Sequence, residues 1–181
     1  MTAFAHINLA PAFVFSGEVE LSTDQGLAPV SGVRAGAVLR GADGAKMAVL
    51  GCHAAPVCGA AVGLPTGPGR APFVVGAEML LLCDHFLCAA LFGQRQVAVR
   101  AGDLDSPAVQ HSNPPAAPMF CIEVPAGSVI AVAGYRIALP VPAALPSVPA
   151  AASGAAPRLL RAGEVRQLCD AGVLFRHVEG R

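Results

Sequence analysis

The apolar positions of this chain fall in short runs rather than in long periodic stretches. Phe13–Leu21, Ala37–Arg40, Met47–Leu50, Phe73–Val75, Met79–Leu82, Gln96–Arg100, Phe120–Val124, Ser128–Val132 and Tyr135–Leu139 are rich in Val, Ile, Leu or Phe, with Gly and Pro scattered between them. Many short runs separated by turn signals predict an all-β domain: a sandwich, a barrel or a folded ribbon. Gly41-Ala42-Asp43-Gly44 has the composition of a hairpin turn. Residues 124–128 read Val-Pro-Ala-Gly-Ser, where Pro and Gly supply the backbone angles of a second turn.

Two stretches depart from this pattern. Pro140 to Pro157 is Ala/Pro-rich and free of charge, which predicts a linker of polyproline character. From Arg158 to Val173 the spacing becomes helical, with Leu159, Leu160, Val165, Leu168 and Cys169 on one stripe opposite Arg161, Arg166 and Asp170. The expected organisation is a β domain over residues 1–140, a linker over 141–157, and a C-terminal helix and tail over 158–181. The helix is expected to pack on the sheet, the alternative being a detached element that recruits another protein.

Composition narrows the function classes. A chain of 181 residues is long enough to bury a real core, and 54% apolar against 13% charged residues is not a disordered composition. Formal net charge is zero, so there is no basic field for a phosphate backbone, and nucleic acid is not an expected partner. The most apolar stretch, Phe73 to Phe92, carries Glu78, Asp84 and His85, which argues against a membrane span. Met1 to Phe15 has no basic leader and contains His6 and Asn8, so a cytoplasmic location is expected. The chain is expected to be a monomer, with another protein as its possible partner.

The six cysteines are then expected as free, buried thiols rather than disulfides. Cys52-His53 with Cys58, and Cys83-x-His85-x-x-Cys88, each place soft ligands close together. Zinc wants four such ligands, commonly with a Cys-x-x-Cys knuckle, and neither cluster has one; no metal and no cofactor are expected. On an unbroken strand Cys83 and His85 would share a face and Cys88 would point the other way. Asp103 and Asp105 flank Leu104 beside Ser106-Pro107, which predicts a solvated turn rather than a catalytic carboxylate pair.

Three segments, taken in order, resemble the hedgehog/intein (Hint) self-processing family, especially the type common in alphaproteobacterial proteins. Phe15-Ser-Gly-Glu-Val-Glu-Leu-Ser-Thr23-Asp-Gln-Gly26 is similar to the family's opening ribbon with its Thr-x-x-Gly turn. Pro29-Val-Ser-Gly-Val-Arg34-Ala-Gly36-Ala-Val-Leu-Arg-Gly-Ala-Asp43-Gly44 resembles the Pro-Val strand and Asp-Gly hairpin that follow. Leu80-Leu-Leu-Cys-Asp84-His85-Phe-Leu looks like the segment that carries the processing histidine, and Leu91-Phe92-Gly93 and Val97 to Leu104 continue the likeness. It spans roughly Phe13 to Pro140 and implies a Hint-like folded β ribbon.

The resemblance also implies a chemistry. A Hint domain cleaves its own backbone: a Cys or Ser at its start attacks the preceding carbonyl, and a histidine in a Thr-x-x-His segment protonates the departing amide nitrogen. Counting back from Thr23 and Phe15, the nucleophile position is Val14, whose side chain has no lone pair. Ser16 could serve only with the register slipped by two residues, and a strand-edge hydroxyl bonded locally is its plainer role. His85 matches the processing histidine, but Leu82 stands where the family has Thr or Ser. A lone histidine in an apolar run is also an ordinary core residue. The chain ends Val178-Glu-Gly-Arg181 without the His-Asn pair that splicing uses. The expected function is therefore a structural or protein-binding domain without self-cleavage. Two alternatives remain open: an active autoprocessing domain using Ser16 and His85, and an unrelated β-rich phage or envelope structural protein.

Overall fold

The computed structural model of the chain describes residues 14–55, 60–67, 70–112, 117–125, 127–139 and 157–175. In chain order the elements are β1 (Val14–Ser16), β2 (Glu20–Thr23), β3 (Gly26–Pro29), β4 (Val38–Arg40), β5 (Lys46–Ala48), β6 (Gly51–Ala55), β7 (Ala61–Leu64), β8 (Phe73–Gly76) and β9 (Leu80–Asp84). They continue with α1 (Phe86–Phe92), β10 (Gln96–Arg100), β11 (Gln110–Ser112), β12 (Met119–Glu123), β13 (Val129–Val132), β14 (Tyr135–Ala138), β15 (Arg158–Leu159) and α2 (Ala162–Asp170). The described residues thus form short strands and two helices, the all-β class with a C-terminal helix that the pattern of short apolar runs predicts.

The strands make three sheets, ordered β11-β7-β8-β1-β12-β6, β13-β14-β9-β10-β15 and β3-β2-β4-β5. Among the described residues every strand pairing is antiparallel except β10 with β15. Phe15, Leu21, Val30, Leu39, Val75, Val97, Val99, Ile137, Leu160 and Leu168 come from all three sheets and both chain ends into one buried cluster.

The first apolar run is not one strand but two. The chain turns between Ser16 and Val19, where the Val19 N–H donates to the Ser16 carbonyl at 3.1 Å, and passes from the six-stranded sheet into the four-stranded one. Gly17 permits this because a Cβ there would lie 2.7 Å from Cε2 of the Phe120 ring. The Thr-x-x-Gly segment closes the β2–β3 hairpin: Thr23 Oγ1 donates to the Gly26 carbonyl at 2.7 Å, and the Gln25 N–H donates back to Thr23 Oγ1 at 3.1 Å. Gly26 sits at φ 115°, a region closed to most side chains. Gly41–Gly44 turns β4 into β5 as predicted, with Asp43 Oδ1 accepting from the Ala45 N–H at 2.9 Å.

Two local predictions are corrected. Residues 86–92 form α1, which the strand pattern hides; Leu, Ala and Phe fill it and left-handed Gly93 (φ 73°) ends it. At the C-terminal end, Arg158 and Leu159 form a strand against Val97 and Ala98, so α2 begins only at Ala162. The cause is alternation. Leu160 enters the main core, while Leu159 packs with Leu80, Leu82, Ala98 and Ala138 on the other face of the same sheet. Val165 and Leu168 are buried as the helical spacing predicts. Residues 141–156 of the expected linker lie outside the described residues. Among the described residues no helix is long and apolar enough to cross a membrane.

Candidate functional site

Of the two sequence-predicted site residues, one lies in a strand and the other just beyond a strand of a different sheet. Ser16 ends β1, inside the six-stranded sheet, and His85 follows β9, in the five-stranded one. Among the described residues no hydrogen bond joins Ser16 to His85.

β1 lies between β8 and β12. Its Phe15 pairs with Val75 and Phe120 and points into the core. Val14 and Ser16 therefore share the opposite face. Val14 is paired with Cys121, and Cys121 with His53 on β6; one step along, Ser16 is paired with Met119 and Met119 with Ala55. Residues directly opposite one another in a ladder project to the same side. The position that the Hint resemblance assigns to the nucleophile thus begins a row that reads valine, thiol, imidazole across three strands.

The row has a carboxylate beside it. Glu123 lies two residues beyond Cys121 on the same face, and its Oε1 is 3.6 Å from His53 Nε2. The Cys121 thiol is not activated by these neighbours: burial pushes its pKa up, and the Glu123 carboxylate and Cys52 push it further. Cys52 belongs to the other face, where its thiol donates to the Val30 carbonyl at 3.5 Å. His53 and Cys52 therefore diverge although they are neighbours in sequence. Cys58, the third member of that sequence cluster, lies outside the described residues.

At the end of β9, His85 acts as a helix cap. It is extended (φ −150°, ψ 148°), its Nδ1 accepts from the Leu87 N–H at 3.2 Å, and its carbonyl accepts from the Cys88 N–H at 3.0 Å. The ring lies 4.5 Å, centroid to centroid, from the Phe86 ring. Asp84 beside it holds Arg95 at 2.8 Å and lies 4.0 Å from Arg136. Leu82 faces Ala98 across the β9–β10 ladder and is buried.

The expectation that Cys88 points away from Cys83 is corrected here. β9 stops at Asp84, the chain bends into α1, and the first helical turn carries Cys88 back until its Sγ is 3.7 Å from Cys83 Sγ. The alternation argument failed because it assumed an unbroken strand. Asp103 closes a short 3-10 turn (Ala101–Asp103), and Asp105 pairs with Arg166 on α2 at 2.9 Å with both side chains exposed, so the two carboxylates serve separate loops. Among the described residues, no three His, Cys, Asp or Glu side chains gather where a metal ion could sit.

The row from Val14 through Cys121 to His53 was invisible in sequence, since its members are separated by dozens of residues and only strand order brings them together. No local signal could have found it. The Cys83–Cys88 contact could have been found, because the Leu-Cys-Ala-Ala-Leu-Phe-Gly stretch has the composition of a short helix with its stop.

No protein-family model matches the chain, and no curated protein matches it. Among solved structures it is similar to two crystal structures of the MchDnaB-1 intein, one of them an altered form. Identity is 17% and 18%, TM-scores are 0.48 and 0.47, and the likeness covers 68% of this chain and 98% and 97% of the inteins.

Proposed function

We propose that this chain is a Hint-like domain that does not cut its own backbone and serves as a structural or protein-binding module. Support for the Hint-like part is the order of the three sequence segments together with their local form. The first makes β1 and the Thr23–Gly26 hairpin, the second makes β4 and the Asp43-Gly44 turn, and the third makes β9 and ends at His85.

One observation carries the loss of cleavage: Val14 occupies the nucleophile position with an alkyl side chain, buried against β12. The nearest hydroxyl in the chain direction, Ser16, is buried opposite Met119. His85 Nδ1 is already the acceptor of a backbone N–H, which fits a capping role better than a proton relay. Among the described residues no hydrogen bond links Val14 or Ser16 to an imidazole that could assist the chemistry.

The test is direct. A small reporter protein fused ahead of Met1 is incubated with and without thiol or hydroxylamine, then read by intact mass. The uncut fusion is the expected result. A cleavage product that appears in the parent and is lost in Ser16→Ala or His85→Ala would overturn the proposal.

A further inference from the structure

We propose that Cys83 and Cys88 form a reversible dithiol–disulfide site that fastens the first turn of α1 to the end of β9. Their sulfurs are in contact at 3.7 Å, an S–H···S distance, and both side chains are buried. A disulfide has an S–S length of about 2.05 Å, so closure asks for a further approach that a small rotation of the first helical turn supplies. The pair bridges two elements rather than two points of one strand. Between its members lie Asp84, tied to Arg95, and His85, the cap of α1.

The other described cysteines are not placed for this. Cys52 is paired with Ile122, one residue from Cys121, so the two thiols point to opposite faces of the six-stranded sheet. Cys169 is at the far end of α2. Cys83 and Cys88 are the contacting thiols among the described residues.

The chemistry balances with hydrogen peroxide as the oxidant. One thiolate attacks the O–O bond, giving a sulfenic acid and releasing water after proton transfer. The second thiol then attacks the sulfenic sulfur, forming the S–S bond and expelling a second water. Two thiols and one peroxide become one disulfide and two waters. Cys88 is the better first nucleophile. Burial and Asp84 raise the pKa of both thiols, but for Cys88 the contact with Cys83 and the nearby backbone oppose the rise, whereas for Cys83 the neighbouring Cys88 adds to it. Both thiols are covered, so attack is expected to be slow and to follow opening of the first turn of α1.

The experiment uses the full chain, folded, with hydrogen peroxide followed by alkylation of the remaining thiols. The expected product is lighter by two hydrogen atoms, carries two fewer alkyl groups, yields a Cys83–Cys88 cross-linked peptide, and returns to the parent mass with dithiothreitol. Amide exchange over 86–92 is expected to slow about tenfold or more in the oxidised form, because the cross-link restricts the opened state. Cys83→Ser and Cys88→Ser should each abolish the two-hydrogen loss, and a variant with Cys52, Cys121 and Cys169 all changed to Ser should keep it. A bridge to any other cysteine, oxygen addition without hydrogen loss, or unchanged exchange in α1 would overturn the proposal.

Discussion

Val14 on β1 stands directly across from Cys121 on β12, and Cys121 directly across from His53 on β6. The thiol that a self-cutting ribbon would want at its first strand is thus present one strand away. That difference is decisive for chemistry. An acyl shift needs the nucleophile on the residue whose own preceding carbonyl is attacked, because only then does a small ring connect the two atoms. A thiol on the neighbouring strand offers no such ring, and burial raises the pKa of this one.

Restoring a sulfur at position 14 should therefore not restore cleavage. Val14→Cys in the fusion is expected to remain uncut, since Leu82 stands where the Hint resemblance expects a hydroxyl and His85 Nδ1 is still engaged by Leu87. Intact mass over a day at neutral pH reads the outcome. Under oxidising conditions the same variant places two thiols opposite each other in the β1–β12 ladder, so a cross-link between the introduced thiol and Cys121 is the expected side product.

Phe15 is the most consequential core residue of the first strand. It is fully buried between Phe120 and Val75, where the six-stranded sheet meets the main cluster. Phe15→Ala should cost about 3–5 kcal/mol, a large share of the roughly 5–15 kcal/mol available to a domain. Urea unfolding reads it as a lower midpoint with an unchanged slope. The neighbouring Gly17→Ala should cost about 1–3 kcal/mol, because its new methyl must displace the Phe120 ring.

His85 separates a cap from a catalyst. Losing the Nδ1 acceptor leaves the Leu87 N–H without its partner, so His85→Ala should cost about 0.5–2 kcal/mol. His85→Asn or His85→Ser should restore most of that, since both side chains accept at an N-cap. A proton-relay role would show the opposite pattern, with neither replacement restoring function. Chemical denaturation of the three variants, with amide exchange over 86–92, reads the cap, and intact mass of the same variants in the reporter fusion reads any relay.

Much of the fold was legible because its short strands obey a simple rule: alternate faces, closed by Gly or Pro. The Asp43-Gly44 turn followed from its composition, and the Thr23–Gly26 turn from the Hint resemblance. What stayed hidden depended on partners distant in sequence. β6 reads Gly-Cys-His-Ala-Ala and β11 reads Gln-His-Ser, poor strand sequences that pair because they lie at the two edges of the six-stranded sheet. β15 exists because Leu160 finds the main core and Leu159 the opposite face, although the same residues fit a helical stripe. The candidate site divides the same way. Val14, Ser16 and His85 could be named from motif order, but their neighbours Cys121, His53 and Cys88 required the topology.

The thiols also set the response to alkali. Cys52, Cys83, Cys88, Cys121 and Cys169 all have pKa values raised by burial, with Cys83 raised most. In the unfolded chain thiols ionise near the ordinary value of about 8.5. Above that pH the unfolded state binds fewer protons than the folded one, so unfolding becomes more favourable as pH rises. The stabilisation is intact below the ordinary thiol range and is lost progressively as pH climbs through it toward the raised values. Tyr135 adds to the loss at still higher pH, since burial raises its phenol too, with the hydroxyl donating to the Pro65 carbonyl at 2.9 Å. Urea midpoints measured from about pH 7 to about pH 10 under reducing conditions should fall steadily across the upper half of that range. Cys83→Ala should flatten the slope while lowering the neutral-pH midpoint. A parent profile that is level, or that rises with pH, would show that these thiols ionise in the folded protein as freely as in the unfolded chain.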